Sequence, residues 1–209
     1  MAEEKAAPPI ADPAALGLGG FALTTFILSA HNAGWAPDVV WIGLALFYGG
    51  LGQFMAGMWE FRNRNTFGAT AFSTYGAFWL ALGTFALLAV FGKVPESALP
   101  NSLGWFILSF AIFNTYMLFW SLRVNVAVFF VFLTLEATEI VLAVGLLGGA
   151  PSIVKLGGYV GVLTAAVAWY ASAAVVINNM SSRPVLPVGA PMWSDRPAEA
   201  RAARPSPTS

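Results

Sequence analysis

The sequence predicts an all-α membrane protein with six transmembrane helices, and three observations carry that prediction. The 209 residues are 58% hydrophobic and only 10% charged, with a mean hydropathy of +0.72. A soluble domain carries roughly 25% charged residues, so this chain cannot cover itself with a hydrated surface and must use lipid as its solvent. The apolar residues fall into six segments, near residues 16–33, 39–58, 67–91, 103–122, 124–147 and 153–177. Each has the length of about 20 residues that a helix needs to cross a bilayer. The alternation of a membrane β-strand is absent, and an unpaired backbone group in lipid costs several kcal/mol, which leaves helix.

Residues 1–11 form a polar, proline-containing tail whose mixed charges (Glu3, Glu4, Lys5) do not make a signal-peptide start. The first apolar segment is therefore expected to stay in the membrane. Residues 12–180 hold the six helices, and residues 181–209 form a Pro-, Ala- and Arg-rich tail expected to be disordered beyond about Val188. The connections are short: a polar run from Glu60 to Thr66, a stretch from Gly92 to Ser102 with two prolines, Arg123 alone, and Gly148-Gly-Ala-Pro151. With six spans both termini share a side. That side holds Lys5, Arg62, Arg64, Arg123, Arg183, Arg196, Arg201 and Arg204, against Lys93 and Lys155 on the other, which places the termini in the cytoplasm.

The first segment, from Asp12 to Gly34, differs from a plain anchor. An Asp-Pro turn leads into Gly17, Gly19 and Gly20, then Phe21, then Thr24 and Thr25. Small residues let another backbone come close, and a ring projecting from that thinned surface beside hydroxyls reads as the wall of a narrow passage. A tightly packed helix with an incidental phenylalanine reads it equally well. Glycine and alanine also recur at packing spacing in the second and last segments (Gly49, Gly50, Gly52, Ala56, Gly57; Gly157, Gly158, Gly161). Such faces mean close helix contacts, and there are more of them than one bundle needs, which points to an oligomer. The three helical hairpins do not repeat one another.

Polar groups inside apolar segments are expensive and therefore informative. Gln53 lies mid-way along the second segment and needs partners for its amide. Glu60 closes that segment near Arg62 and Arg64, where an interfacial ion pair competes with a proton-handling role. His31 and Asn32 end the first segment near the external interface, as structural hydrogen-bonders or a proton relay. Glu136 and Glu139 in the fifth segment are three residues apart and share a helix face. They could titrate as a pair and bind a proton, or simply hydrogen-bond polar groups on neighbouring helices. Tyr75, in the third segment, has hydroxyl neighbours in Ser73 and Thr74 and could donate to a passing carboxylate. Trp35, Trp41, Trp59, Trp105 and Trp120 lie near segment ends, as in an interfacial aromatic belt.

Other classes find little support. Zero net charge gives no case for nucleic acid, and the absence of cysteine removes disulfides and thiol chemistry. With one histidine and no HExxH, phosphate loop or GxSxG, no enzyme, cofactor or metal site is expected. A membrane scaffold without transport activity would account for the glycine faces alone.

The run Asp12-Pro-Ala-Ala-Leu-Gly-Leu18 resembles the signature Asn-Pro-Ala-Pro-Leu-Gly-Leu of the acetate uptake transporter family, which includes the bacterial succinate–acetate permeases. Phe21-Ala-Leu-Thr-Thr25, His31-Asn-Ala-Gly34, Phe47-Tyr-Gly-Gly-Leu-Gly-Gln53, Ala56-Gly57, Glu60, Asn65-Thr-Phe-Gly68 and Ala71-Phe-Ser-Thr-Tyr-Gly-Ala-Phe-Trp79 continue the resemblance. It runs from Asp12 to about Val188 and is densest over the first three segments. Asp12 and Ala15 depart from the motif, and Glu136 and Glu139 stand where relatives are mostly apolar.

The resemblance implies transport of acetate and similar small monocarboxylates, with succinate a further candidate, across the cell inner (plasma) membrane. It implies a homohexamer in which each six-helix protomer has its own path. It further implies a hydrophobic constriction of Phe21, Tyr75 and Leu133, with Ala168 at a small-residue position that sets substrate size. Thr24, Thr25, Asn32, Gln53 and Thr74 are expected to line the path or bind substrate, and Glu60, Glu136, Glu139 and His31 are candidates for handling a proton. A passive anion channel, or a channel for ammonium or another small solute, is the alternative.

Overall fold

The computed structural model describes residues 10–194. Within them lie seven α-helices: α1 Ala14–Asn32, α2 Val40–Leu46, α3 Gln53–Arg62, α4 Thr66–Val90, α5 Leu99–Ser121, α6 Val126–Leu147 and α7 Pro151–Met180. A π-helical turn, Phe47–Gly52, joins α2 to α3 into one span, Val40–Arg62. Six spans are thus long and apolar enough to cross a membrane, and the described residues contain no strand. Residues 1–9 and 195–209, with Lys5, Arg196, Arg201 and Arg204, lie outside the described residues.

Local chemistry sets where the helices start. Asn65 and Asn125 cap α4 and α6, each accepting from the backbone N–H three residues on, at 3.0 and 2.8 Å. Pro151 opens α7 and Pro100 sits in the first turn of α5, where a missing N–H leaves no bond unmade. Helix α5 therefore starts earlier than the expected segment at 103, and α7 runs past the expected 177 to Met180. At the start of α1, Asp12 Oδ1 accepts from the Ala14 N–H at 2.9 Å, so the aspartate does the capping work an asparagine would do.

The spans pack as a ring. Helix α1 packs on α7, α7 on α6, and α6 on α5; on its other side α1 meets the second span, which packs on α4. Between α4 and α5 the ring closes through aromatic side chains: Phe78 lies 5.2 Å from Phe106 and 4.8 Å from Phe110, centroid to centroid. Glycine makes the tight crossings possible. A Cβ on Gly76 of α4 would lie 2.6 Å from the backbone nitrogen of Phe54, and one on Gly158 of α7 would strike the backbone of Asn32 and Ala33. The π turn has its own requirement: a Cβ on Gly50 would collide with the carbonyl of Ala45, five residues back.

The C-terminal segment is ordered further than the sequence led us to expect. Asn178 Oδ1 accepts from the N–H groups of Val185 and Leu186, Ala127 N–H donates to the Val188 carbonyl, and Met192 and Trp193 donate to the Leu122 carbonyl. Trp193 stacks on Trp120 at 5.8 Å and carries the Arg123 guanidinium over its ring at 4.5 Å. The tail up to Ser194 is thus a strap across the α5–α6 turn and the end of α7, held by side chains too distant in sequence for local composition to reveal.

Gly76→Ala is expected to destabilise the fold by about 1–3 kcal/mol, because the methyl meets backbone that cannot rotate away. Gly43→Ala, which meets nothing within 4 Å, is expected to be neutral or stabilising by up to about 1 kcal/mol. Thermal unfolding of the two variants in the same detergent compares them directly.

Candidate functional site

The inward face of α1 sets the site. Phe21 is ten residues, or about 15 Å, below His31 at the end of the helix, which puts it near the middle of a hydrocarbon core about 30 Å thick. There it meets Tyr75 of α4 edge to face, with ring centroids 5.8 Å apart. Both are buried, at 4% and 3% exposure. Phe78, Phe110 and Phe113 complete the aromatic surround of Tyr75 at 6.0, 6.2 and 5.6 Å. Phe21 and Tyr75, expected to meet in a constriction, are in contact at the centre of the ring.

Leu133, expected as the third member, is not there. It stands 39% exposed on the outer face of α6, whereas Leu135 is 6% exposed. Two residues turn an α-helix by about 200°, so these leucines face opposite ways. Leu135 lies one turn from Glu139, which reaches Tyr75, and so takes the inward position. The uniformly apolar run Phe129-Phe-Val-Phe-Leu133 has no periodicity from which its register could be read.

The Tyr75 hydroxyl does not pair with Ser73 or Thr74, its neighbours in sequence. It lies 3.0 Å from Asn114 Oδ1 on α5 and 3.3 Å from Glu139 Oε1 on α6. Asn114 is fully buried and donates to Glu136 Oε2 at 2.7 Å and to the Phe132 carbonyl at 3.0 Å. Thr115 donates to Glu136 Oε1 at 2.7 Å. Glu139 meets the Tyr75 hydroxyl directly, and Glu136 is joined to it through Asn114. Sequence reasoning missed this residue, although it meets the criterion that singled out Gln53: a lone amide in the middle of an apolar span.

Thr24, Thr25 and Gln53 are buried beside α1 and the second span, and their oxygens Thr24 Oγ1, Thr25 Oγ1 and Gln53 Oε1 have no hydrogen-bond partner. Gly49, in the π turn, lets the backbone come against Thr24. Ala168 is fully buried in α7, and Thr74 is half-buried. Glu60, also fully buried, accepts from Asn63 Nδ2 at 3.1 Å. The expected pairing with Arg62 or Arg64 gives way to this asparagine, which is three residues along and on the same side of the helix. Arg64 has left the helix, with φ +59°.

Above the aromatic centre a cavity of about 350 Å³ is walled by His31, Asn32, Asp38 and Trp41 at its mouth and by Leu82, Ile107 and Leu142 deeper in. His31 Nε2 lies 3.6 Å from Asp38 Oδ1. Leu142 is three residues past Glu139 on α6, about 4.5 Å along the axis, so the cavity floor sits just above the Tyr75 network.

The profile of the GPR1/FUN34/yaaH family matches residues 2–192. The chain belongs to that family. Acetate permease A of Emericella nidulans is 44% identical over 204 residues, covering 88% of this chain and 67% of that protein. The succinate-acetate/proton symporter SatP of Escherichia coli K12 is 37% identical over 183 residues, covering 86% and 96%. A solved structure described as that of the bacterial acetate channel SatP superposes with a TM-score of 0.82 at 36% identity, over 87% of this chain and all of that one. The GPR1/FUN34/yaaH fold thus accounts for the six spans and for the placement of the described residues within them.

Tyr75→Phe keeps the rings together but leaves Asn114 Oδ1 and Glu139 Oε1 facing apolar carbon. A destabilisation of about 1–2 kcal/mol is expected, measured as a lowered midpoint of thermal unfolding in detergent. Thr74→Val, outside this network, is expected to change the midpoint by less than about 0.5 kcal/mol equivalent.

Proposed function

We propose that this protein carries acetate and similar small monocarboxylates across the cell inner (plasma) membrane, through a constriction of Phe21, Tyr75 and Leu135 inside each subunit. The observation that carries the reading is the buried edge-to-face contact of Phe21 with Tyr75 at mid-span; a cavity of about 350 Å³ reaches down to Leu82, seven residues or about two turns along α4 from Tyr75. An inorganic ion would have to shed its water against these rings and lose free energy. A small monocarboxylate can turn its methyl to the rings and its carboxylate to hydroxyl and amide donors. Thr24 and Thr25, whose buried hydroxyls lack a partner, supply such donors on the α1 side, whereas the unpartnered Gln53 Oε1 can only accept. Glu60 lies toward the opposite end of the path, and His31 and Asn32 stand at the cavity mouth. Ala168 leaves room at the level of α7 that a larger side chain would take.

Both termini face the cytoplasm in this reading, with Arg62, Arg64, Arg123 and Arg183 on that side and Lys93 and Lys155 on the other. The names of the relatives support the substrate class: acetate permease, succinate-acetate/proton symporter and acetate channel. A homohexamer of such protomers, passage coupled to a proton, and carriage of succinate belong to the same proposal.

Uptake of radiolabelled acetate into proteoliposomes tests the reading. Uptake above that of protein-free vesicles is expected, and its absence would remove acetate as substrate. Phe21→Ala and Leu135→Ala are expected to admit lactate, whereas Leu133→Ala should leave the substrate range as it is. If Leu133→Ala admits lactate and Leu135→Ala does not, the inward face of α6 has been misassigned.

A further inference from the structure

The Tyr75 hydroxyl has one proton and two oxygen neighbours, and Asn114 decides which of them receives it. Both N–H bonds of the Asn114 amide are in use, one to Glu136 Oε2 and one to the Phe132 carbonyl. Turning the amide over would set its oxygen against two acceptors and lose both bonds. Asn114 therefore presents Oδ1 to Tyr75, and the one tyrosine proton can go there, at 3.0 Å, or to Glu139 Oε1, at 3.3 Å; both contacts are satisfied together only when it goes to Asn114. The tyrosine oxygen then turns a lone pair toward Glu139 Oε1 at 3.3 Å. That contact is a hydrogen bond only when Glu139 supplies the proton.

The two carboxyl groups are thus unlike. Both oxygens of Glu136 have side-chain partners, Asn114 Nδ2 and the Thr115 hydroxyl, each at 2.7 Å; that hydroxyl also reaches the Ala111 carbonyl at 2.9 Å and has one proton for the two. Glu139 is 3% exposed, has one oxygen against the tyrosine lone pair, and has the other, Oε2, buried without a partner. The groups facing it are Tyr75 from α4, Asn114 from α5 and, one turn away on its own helix, Glu136, with Tyr116 of α5 near the tyrosine. On α7, Thr164 is engaged with Thr138, the residue before Glu139, at 2.9 Å, and Phe21 of α1 meets the Tyr75 ring; neither carries a charge. The lysines, arginines and histidine of the described residues all lie at the ends of spans.

We propose that Glu139 is the group that hands a proton to the substrate at the constriction, and that Asn114 is the positioning residue that makes Tyr75 an acceptor toward it. This rests on the monocarboxylate reading above. In the step, the O–H bond of Glu139 breaks and one forms on the substrate carboxylate, so that an anion plus a carboxylic acid becomes a neutral acid plus a carboxylate. The neutral acid passes the rings, and Glu139 regains a proton from solvent before the next cycle. Two carboxyl groups that share a site but differ in partners can hold one proton between them in this way.

The test is the pH profile of radiolabelled acetate uptake in proteoliposomes, corrected with protein-free vesicles. Wild type is expected to slow as pH rises. Glu139→Gln, whose amide donates permanently and has no proton to give, is expected to lose that dependence. Asn114→Leu frees the Tyr75 proton to turn toward Glu139 and stabilise its carboxylate, so the midpoint of the profile is expected to move to lower pH, by about one unit or tenfold in proton concentration. Glu136→Gln, which can still accept from Asn114, is expected to keep a pH dependence, though not the wild-type midpoint, since the charge beside Glu139 has gone. A Glu139→Gln profile that still follows pH, or loss of the dependence in Glu136→Gln alone, overturns the proposal. Absence of acetate uptake by wild type would instead defeat the underlying reading. Infrared spectra of the wild-type protein supply a second measurement, needed if Glu139→Gln does not fold. A carbonyl band of a protonated carboxyl group at neutral pH, titrating together with uptake, supports the assignment, and its absence overturns it.

Discussion

The contact between Phe21 and Tyr75 exists because three backbones come closer than side chains normally allow. Gly20 of α1 lies against the carbonyl of Tyr48, Gly49 lies against Thr24, and Gly76 lies against the backbone of Phe54. In lipid there is no hydrophobic force to press helices together, so van der Waals packing across small residues must do it. Once α1, the second span and α4 are drawn in, the large rings of the first and third spans have nowhere to go but the centre. The glycines and the aromatics are one device: small residues bring the helices together, and the rings fill what is left between them.

The remaining constraint is polar. Inside a bilayer each amide, hydroxyl and carboxyl group must find its partner within the protein or face a wet path. Asn114 satisfies this fully, with two bonds given and one received. Thr24, Thr25 and Gln53 do not, and their open oxygens fall beside α1, on the side opposite the α5–α6 network. In the proposed function this difference matters, because a substrate carboxylate is drawn to donors whose partners are missing and finds those of Asn114 and Thr115 already engaged.

What the sequence disclosed follows from how local each signal is. Span number and approximate limits were legible because hydropathy over a bilayer length is a one-dimensional property. Phe21 stood out because it follows Gly17, Gly19 and Gly20, Tyr75 because it lies mid-span beside Ser73 and Thr74, and their pairing came from the family resemblance. The π turn at Phe47–Gly52 was not legible, since Gly49, Gly50 and Gly52 read simply as small residues until the Ala45 carbonyl is seen behind Gly50. The sequence did not orient Leu135, because the run of residues 129–133 before it is apolar on every side, and the polar residues around it (Thr134, Glu136, Thr138, Glu139) spread over more than one face of the helix. Asn114 could have been found from the sequence, but its role depends on α4 and α6 meeting α5, which no local pattern records. The strap from Val185 to Trp193 failed for a related reason: its order comes from Asn178, Leu122 and Trp120, not from its own composition.

The glutamates pose a difficulty for any path that carries anions, since two charged carboxylates beside the constriction would repel the substrate. The geometry reduces it. Glu136 is only half-buried and turns both oxygens to Asn114 and Thr115, and Thr115 lies on the exposed face of α5, so its carboxyl group is directed into the α5–α6 contact. Glu139 is the one nearer the rings, and in the proposed network it carries a proton while the path is ready to receive substrate. A carboxyl group in that state is a donor, and the repulsion appears only after the proton has left with the substrate. Charge at the bottleneck then rises as the neutral acid departs, which opposes its return as an anion and favours the uptake of the next proton.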